Sequence, residues 1–307
     1  MNDDTVITVS DQRQSVAYVY LASLTSPISR RVQGSALGVI SRKLGAASPF
    51  EFRWEELRYE HLAQIQSWLA STHSAAATRR YVSAVRGCLR AAWRMGYLDT
   101  DTYIRTTDLT PVHGNTKRGK YATPEELAKL YATCQSASNR NARDGAILRL
   151  MFCLGLRCCE VLAAELADFD RNTGSLLLHG KGRKLRSIFV FGTIRAAMDR
   201  WLERRGEHVG ALFEVIDWDD GIIHKPISST LSIWELYDKR CRRAGISRLA
   251  PHDARRTACS NLLGLTDSLT VARILGHASL SITAIYDRRN ESAARDACEL
   301  AGKETQS

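Results

Sequence analysis

The sequence predicts a mainly α-helical protein of two domains, with a small antiparallel β-sheet in the second domain. Three observations support this fold class. The chain has 307 residues, which exceeds the size of one typical domain. Its first hundred residues contain four segments with helical spacing of apolar residues. Later, a Gly-Lys-Gly turn separates two apolar runs, which is typical of a β-hairpin.

The N-terminal domain is predicted over residues 1–105 as a bundle of helices. Apolar residues recur at three- and four-residue steps in the helices, which span 14–24, 30–45, 57–72 and 74–98. No acidic residue interrupts the fourth helix. A solvated surface would explain this helix taken alone, but its arginines also suit phosphate binding. These candidate phosphate-binding residues are Arg79, Arg80, Arg86, Arg90 and Arg94.

A polar linker is predicted between the domains, at residues 106–121. Pro111, Gly114 and Gly119 interrupt regular structure there. The linker is also basic, which suits a segment that lies along a polyanion. Its charged candidates are Lys117, Arg118 and Lys120.

The second domain is predicted over residues 122–290 and begins with a capped helix. Thr123 is placed to cap this helix, Pro124 suits its first turn, and Glu126 completes a capping box. Further helices are predicted at 143–154, 193–205, 229–244, 252–264 and 268–275, with the hairpin around residue 181 and a short tail at 291–307.

The net charge of +10 and the sequence pI of about 9.3 indicate a polyanionic partner. Basic residues in the predicted helix 229–244 are further candidates for contacts with it. They are Lys239, Arg240, Arg242 and Arg243.

Several classes of protein are excluded by the composition. No apolar run approaches the roughly 18 residues of a membrane helix, and no secretory signal is present, so we expect a cytoplasmic protein without a membrane partner. The eight cysteines show no CxxC pair and no zinc spacing, and we interpret them as structural thiols. The sequence has no P-loop and no carboxylate cluster spaced for two metals, so we expect neither a metal nor a cofactor.

Polar residues beside apolar helical runs are the candidates for chemistry. Arg157 lies in the nearly uncharged segment CLGLRCCEVL, and Glu160 follows on the same helix face. The pair could orient an arginine toward an anion, or could simply form a local ion pair. The spacing of His252 and Arg255 places an imidazole and a guanidinium on one face, which suits a phosphate better than a metal. An exposed basic helix end is the alternative.

Lys181 and Tyr286 could act as reagents. Lys181 lies between two glycines in the hairpin turn, where a desolvated lysine could deliver a proton. A solvated turn lysine is the simpler interpretation, and Lys184 is a rival for the same role. Tyr286 lies nine residues after His277, and packing is the ordinary role of a tyrosine.

The combination of these residues resembles the tyrosine recombinase (phage integrase) family, in particular the Xer-like site-specific recombinases. The motifs that carry the resemblance are GLRCCE, GKG, HDAR, LGH and AIYDR, in this order over most of residues 123–290. The six matching positions are Arg157, Lys181, His252, Arg255, His277 and Tyr286.

The resemblance implies a fold and a set of roles. The N-terminal helices would form a core-binding (SAM-like) domain, and residues 122–290 a catalytic domain with the DNA breaking-rejoining fold. Tyr286 would attack the scissile phosphate and form a 3′-phosphotyrosyl enzyme, while Lys181 protonates the leaving 5′-oxygen. The remaining roles are also implied: Arg157, Arg255 and His277 bind the phosphate oxygens, His252 exchanges the proton of the tyrosine, and Glu160 orients Arg157.

The resemblance also implies partners. The substrate would be double-stranded DNA with a specific recombination site. Monomers in solution would assemble into a homo-tetramer on two sites and exchange strands through a Holliday junction, for a mobile element or a replicon. Accessory DNA-binding proteins could take part, the tail 291–307 could contact a neighbouring protomer, and the protein would be nucleoid-associated. Three alternatives stay open at this point: a type IB topoisomerase, a telomere resolvase and a DNA-binding factor without activity. If Tyr286 were not the nucleophile, Tyr237 would be the next candidate.

Overall fold

Helices dominate the structure, a computed structural model. It describes residues 15–114, 119–180, 185–277, 279–284 and 298–299. Several residues singled out in the sequence lie outside this described part, namely Lys117, Arg118, Lys181, Lys184 and Tyr286 with most of the tail. Contacts within the chain divide it into two compact units, residues 1–118 and 119–307. Among the described helices, none has the length and apolar character needed to cross a membrane.

The first unit is helical. Its described helices are α1 (Val16–Ala22), α2 (Pro27–Lys43), α3 (Tyr59–Thr72), α4 (Ala75–Arg94) and α5 (Thr100–Thr107), with a short 3-10 helix at Trp54–Glu56. Helix α4 contacts all the others. Its residues Val82, Val85 and Leu89 are buried as the apolar spacing predicts, whereas Trp93 is 37% exposed.

Helix α5 was not expected, because the segment after Leu98 is polar. Local capping explains it: the Asp99 side chain accepts a hydrogen bond from the Thr102 backbone N–H at 2.8 Å, which begins the helix. Trp93 packs against this helix instead of the core, since its indole stacks on Tyr103 with 5.3 Å between ring centroids. The α5 helix therefore covers part of an α4 side chain that the core leaves exposed.

The segment that follows α5 is held on α4 by two arginines. Arg86 donates to the carbonyl oxygens of Thr107 and Leu109 at 3.0 and 2.8 Å, and Arg79 donates to that of Val112 at 2.8 Å. Carbonyls outside regular structure need such donors when they are removed from water. The arginines of α4 therefore differ in role although they share one helix.

The second unit contains the remaining described elements. Its helices are α6 (Pro124–Ala132), α7 (Asn139–Leu154), α8 (Cys158–Ala163), α9 (Gly192–Arg205), α10 (Thr230–Ala244), α11 (Pro251–Leu263), α12 (Ser268–Leu275) and α13 (Leu280–Ala284). Its strands are β1 (Ser175–His179), β2 (Leu185–Phe189), β3 (Glu214–Ile216) and β4 (Ile222–Pro226). The capping box predicted for α6 is present, with Thr123 and Glu126 bonded reciprocally to the backbone.

The strands form two separate antiparallel pairs. Strands β1 and β2 pair from Ser175 opposite Phe189 to His179 opposite Leu185, which is the predicted hairpin. The second pair, β3 with β4, was not predicted, because its strands have only three and five residues, too few to show a period. The fold is thus mainly helical with small antiparallel sheets.

Helix α7 is the centre of the second unit and packs against α9 and α11. Its apolar residues Ile147, Leu150 and Met151 are completely buried, so the helix is enclosed on most sides. An enclosed helix leaves little water for its charged groups. Asp144 on α7 is 3% exposed, and its charge is met by Arg240 of α10.

Arg240 was predicted to contact DNA, and its position in the structure corrects this prediction. It is 1% exposed, and its Nη2 lies 2.6 Å from Asp144 Oδ2 while Nη1 donates to the Thr133 carbonyl at 2.7 Å. Arg143 also donates to Asp144, at 2.8 Å. The charge of a buried carboxylate requires this pairing, so Arg240 joins α10 to α7 and is enclosed by protein.

We expect Arg240→Ala to lower the free energy of unfolding by about 3 kcal/mol, because it leaves the buried Asp144 without its main partner. Urea unfolding followed by circular dichroism measures this. Arg242→Ala on the same helix is the matched control: Arg242 is 74% exposed, and its loss should change stability by less than about 0.5 kcal/mol. Equal effects of the two substitutions would contradict the assigned role.

Candidate active site

The site is organised around the C-terminal turn of α12. The last carbonyls of a helix have no partner within the helix and require donors from elsewhere. Three arginines from different elements supply them: Arg186 Nε donates to Ile274 at 2.8 Å, Arg255 Nη2 to Leu275 at 2.5 Å, and Arg157 Nη2 to Gly276 at 3.0 Å. The partial negative charge of a helix C-terminus favours these cations. One turn thus collects three guanidinium groups.

Arg157 is positioned by the start of α8. It is the N-cap residue of that helix, and its backbone N–H donates to Glu160 Oε2 at 2.9 Å. Its side chain donates to Glu160 Oε1 at 2.7 Å and is 38% exposed. Both ends of the residue are therefore fixed by one carboxylate, while part of its guanidinium faces solvent.

Glu160 is shared between two arginines. Arg186 on β2 donates to both of its oxygens, at 2.7 and 2.9 Å, in addition to the bond from Arg157. Burial raises the pKa of this carboxyl group, but the hydrogen bonds and charge of Arg186 and the hydrogen bonds of Arg157 outweigh that effect and leave its pKa below the ordinary value. Glu160 therefore stays ionised and links α8 to the hairpin strand β2.

Arg255 is the most enclosed of the three arginines. It belongs to α11, is 6% exposed, and donates from Nη1 to the Gly155 carbonyl at 2.6 Å. Gly155 ends α7 in the left-handed conformation with φ of 67°, and a Cβ atom there would lie 2.3 Å from Leu275 Cδ2. Glycine is required at this position by both the dihedral angle and the close packing.

The glycine of the LGH segment has a similar explanation. Gly276 is the C-cap of α12 with φ of 64°, and a Cβ atom on it would lie 2.9 Å from Arg186 Nη1. A side chain at this position would push Arg186 away from the turn. Arg186 was not selected from the sequence, where it is one of several basic residues after the Gly-Lys-Gly turn. Its position on the inward face of a strand was the available signal.

His277 follows this turn and lies against α13. Its Nδ1 is 2.8 Å from the hydroxyl of Thr283, which is completely buried. Partial burial, followed by the charges of Arg255, Arg157 and Arg186, lowers the pKa of His277 from 6.5 to about 4. The imidazole is therefore neutral at physiological pH, because burial and the three neighbouring cations both disfavour its protonated form.

His252 and Arg255 lie on the first turns of α11, as their spacing predicts, but in different environments. His252 is exposed at the start of the helix, and Arg255 is buried one turn later. Asp253 between them accepts from the backbone N–H groups of Lys120 at 2.7 Å and Ala250 at 2.8 Å. Asp253 thus caps α11 and also holds residue 120, at the start of the second unit, on this helix.

The charge of the site is strongly positive. Arg157, Arg186 and Arg255 contribute three positive charges and Glu160 one negative charge, which leaves a net charge of +2. Such a site suits an anion bound in a bidentate manner, because a guanidinium group can donate two parallel hydrogen bonds to phosphate or carboxylate oxygens. The structure brings together Arg157, Glu160, Arg255 and His277, whereas Lys181 and Tyr286 lie outside the described residues.

The residues predicted to contact DNA fall into two groups. Those that are exposed on the described surface are Arg80, Arg90, Arg94, Lys239, Arg242 and Arg243. Those that already bond within their own unit are Arg79, Arg86 and Arg240, together with Lys120, whose ammonium donates to Glu126 and Ser247. Of the second group, Arg240 is enclosed by protein at 1% exposure, whereas the side chain of Lys120 is 40% exposed.

Known proteins similar to this chain share both its sequence pattern and its fold. The sequence model described as "Phage integrase family" matches residues 120–293. The tyrosine recombinase XerD of Mycobacterium tuberculosis is 31% identical over 229 residues, which cover 69% of this chain and 70% of the relative. The tyrosine recombinase XerC of Corynebacterium glutamicum is 27% identical over 250 residues, which cover 76% and 75%.

Two solved structures show the same fold. The integrase of the transposon Tn1549 in complex with transposon right end DNA has a TM-score of 0.70 and 14% identity, covering 94% of this chain and 99% of that one. The XerH site-specific recombinase bound to palindromic difH substrate has a TM-score of 0.61 and 20% identity, covering 90% and 80%. At these identities the similarity concerns the fold.

We expect the ring of His277 to stay neutral down to about pH 5 and to protonate near pH 4, because burial and the three arginines oppose its charge. Its ring resonances in an NMR titration measure this, and His277→Gln assigns them. Inorganic phosphate should raise the pKa of His277, since a bound anion offsets the guanidinium charges.

In 8 M urea the same ring should titrate near the ordinary value of about 6.5. Folding stability would then fall as the pH falls from about 6.5 towards 4, since over that range the unfolded chain binds a proton that the folded chain does not. Protonation of the folded ring near pH 6.5 would contradict the site described here.

Proposed function

Because the chain belongs to the phage integrase family and is a tyrosine recombinase, we propose that it cleaves and rejoins DNA at a specific site through a 3′-phosphotyrosyl intermediate on Tyr286. The observation that carries the proposal is the convergence of Arg157, Arg255 and His277 on the C-terminal turn of α12. This arrangement supplies cationic donors and a neutral imidazole for one phosphate.

The arginines would bind the non-bridging oxygens of the scissile phosphate. Attack on phosphorus concentrates negative charge on these oxygens in the transition state, and fixed guanidinium groups stabilise it without rearranging. Arg157 is suited to this because Glu160 holds it from both sides while its guanidinium is partly exposed. Arg186 would act through Glu160 as a positioning residue and would not need to touch the DNA.

His277 would donate one further hydrogen bond to the phosphate as a neutral group. Its Nδ1 is bonded to Thr283, so the proton that reaches the phosphate must be on Nε2. This tautomer requires the Thr283 hydroxyl to donate to Nδ1. The Thr283 hydroxyl can donate to this tautomer, and a phosphate that accepts from Nε2 would favour it.

The covalent step would exchange one phosphate ester for another. The Tyr286 oxygen forms a bond to phosphorus, the bond from phosphorus to the 5′-oxygen breaks, and Lys181 protonates that oxygen, while His252 accepts the tyrosine proton. The ester energy is retained, so rejoining by the 5′-hydroxyl needs no ATP. The arginines and the lysine supply the positive charge that a metal supplies in other enzymes.

Both units would contact the DNA. Residues 1–105 would be the core-binding domain, 106–121 the linker, 122–290 the catalytic domain and 291–307 a tail for contacts between protomers. The exposed arginines of α4, Arg80, Arg90 and Arg94, and the exposed basic residues of α10, Lys239, Arg242 and Arg243, would contact the phosphate backbone. Such contacts set affinity and orientation, whereas base contacts set the site.

Assembly on DNA would involve four protomers. A lambda integrase tetramer bound to a Holliday junction has a TM-score of 0.68 to this chain with 14% identity, and it supports the proposal that the protein acts as a tetramer on two sites of double-stranded DNA. We propose monomers in solution, recombination of a mobile element or replicon with accessory DNA-binding proteins where the site requires them, and association with the nucleoid.

We expect the full-length protein to form a covalent adduct with a nicked suicide substrate, because the short fragment after the nick diffuses away and rejoining fails. Tyr286→Phe should bind the DNA with unchanged affinity but form no adduct. Denaturing gel electrophoresis measures the adduct, and gel shift measures binding.

Tyr237→Phe is the matched control for this experiment. Tyr237 is 1% exposed, stacks on Phe152 with 5.6 Å between centroids, and burial raises the pKa of its hydroxyl well above the ordinary value. It is a core residue, so its phenylalanine variant should retain the adduct. An adduct with Tyr286→Phe would assign the nucleophile elsewhere and refute this part of the proposal.

We expect Lys181→Ala to slow cleavage by about a hundredfold or more, because the 5′-oxygen then leaves without a proton. A substrate with sulfur in place of the bridging 5′-oxygen should restore the rate, since a thiolate leaves without protonation. Lys184→Ala is the matched control and should show neither the loss nor the rescue. Rescue of Lys184→Ala alone would transfer the role to that residue.

A further inference from the structure

Three side chains that can bind metals converge outside the site described above. They are His208, in the loop after α9, Glu214, at the start of β3, and His224, on β4. Their ligand atoms all lie within 4.8 Å of one another. The elements that carry them contribute none of the residues proposed for cleavage.

The geometry of the cluster centres on the buried carboxylate. Glu214 is 2% exposed, and its Oε1 is 2.8 Å from His208 Nε2 while its Oε2 is 3.1 Å from His224 Nδ1. The two imidazole rings lie 3.8 Å apart between centroids, at an interplanar angle of 62°. His208 Nε2 and His224 Nδ1 therefore lie close enough to the Glu214 carboxylate for a single ion to contact all three groups.

The loop that presents His208 is held in place by a buried arginine. Arg205 donates to the carbonyl oxygens of Gly206 at 3.0 Å, His208 at 2.9 Å and Ala211 at 2.8 Å. Its side chain is 0% exposed and also lies 3.4 Å from Glu214 Oε1. The position of His208 is therefore set before any ligand arrives, which lowers the cost of binding.

The chemistry of the three ligands favours zinc. Two imidazoles and one carboxylate form a common zinc ligand set, in which the fourth position is taken by water. The imidazole side chains are 35% and 60% exposed, so the ion has access from solvent. Each imidazole would bind the metal through the nitrogen that faces Glu214, with its proton on the other ring nitrogen. The nearby charge of Arg205 opposes a cation, so we expect a weaker site than a closed tetrahedral cage.

We propose that His208, Glu214 and His224 form a binding site for one zinc ion, or a similar divalent transition metal, that clamps the loop after α9 to the β3–β4 hairpin. We assign the ion a structural role, although one position is open to water, because it joins two segments that contribute no residue proposed for cleavage. The site differs from the expectation from the sequence that no metal is bound, because the ligands are six and ten residues apart and match no standard zinc spacing. Its existence does not depend on the proposed recombination chemistry.

The test measures binding of zinc alone to the full-length metal-free protein, by competition with a chromogenic zinc chelator. The wild-type chain should bind one equivalent more tightly than His208→Ala or His224→Ala, by on the order of tenfold or more. Zinc should raise the thermal midpoint of the wild type and leave that of the variants unchanged. Any zinc held by the eight cysteines is common to all these proteins and cancels in the comparison.

His179→Ala is the matched control. His179 Nε2 lies 2.9 Å from Asp168 Oδ1, so it is also an exposed histidine beside a carboxylate, but among the described residues no third metal ligand joins this pair. This variant should bind zinc like the wild type. Cobalt added in place of zinc should give a visible absorption spectrum without a thiolate charge-transfer band. The His224→Ala variant should lose this visible spectrum.

The outcome is decisive in either direction. Equal zinc affinity and stoichiometry in the wild type and both histidine variants, with unchanged circular dichroism, would show that the three side chains form only a hydrogen-bonded cluster and would overturn the proposal. A variant that misfolds is recognised by circular dichroism, and the other histidine variant then decides.

Discussion

The C-terminal turn of α12 is the constraint on which the second unit depends. Its carbonyls at residues 274, 275 and 276 cannot be satisfied within the helix, and Arg186, Arg255 and Arg157 satisfy them from β2, α11 and the start of α8. Three elements distant in sequence are thereby tied to one point. The same bonds place three like charges together, and Glu160 offsets only one of them.

Glu160 makes this concentration of charge compatible with folding. It is buried between Arg157 and Arg186 and remains ionised, so it offsets one of the three charges and fixes two of the guanidinium groups. A carboxylate that offset all of the charge would leave nothing for a phosphate. The folded protein thus holds the remaining positive charges close together against their mutual repulsion. An anion that binds there would relieve this repulsion.

Arginine has opposite uses within this chain. On α4, Arg86 bonds to backbone carbonyls while Arg90 and Arg94, on the same helix, are exposed. On α10, Arg240 neutralises a buried carboxylate while Arg242 is in solvent. The sequence does not distinguish these arginines, because the residue type does not show whether the side chain bonds within the protein or is exposed to solvent. On these two helices, only the folded structure shows which arginines bond within the protein and which are exposed.

The sequence by itself determined the helical class, the β1–β2 hairpin, the cap of α6 and the order of the motif residues, because these depend on local periodicity, capping and residue type. The sequence shows the glycines of GLR and LGH, but only the structure explains why glycine is required at these positions. Gly155 packs closely against Leu275, and Gly276 packs closely against Arg186. Helix α5 was missed because its sequence is polar, and the β3–β4 hairpin was missed because its strands have only three and five residues. Tertiary structure alone decided that Arg186 belongs to the site, that Arg240 belongs to the core and that His208, Glu214 and His224 meet, because each of these depends on contacts between residues that are distant in the chain or on burial.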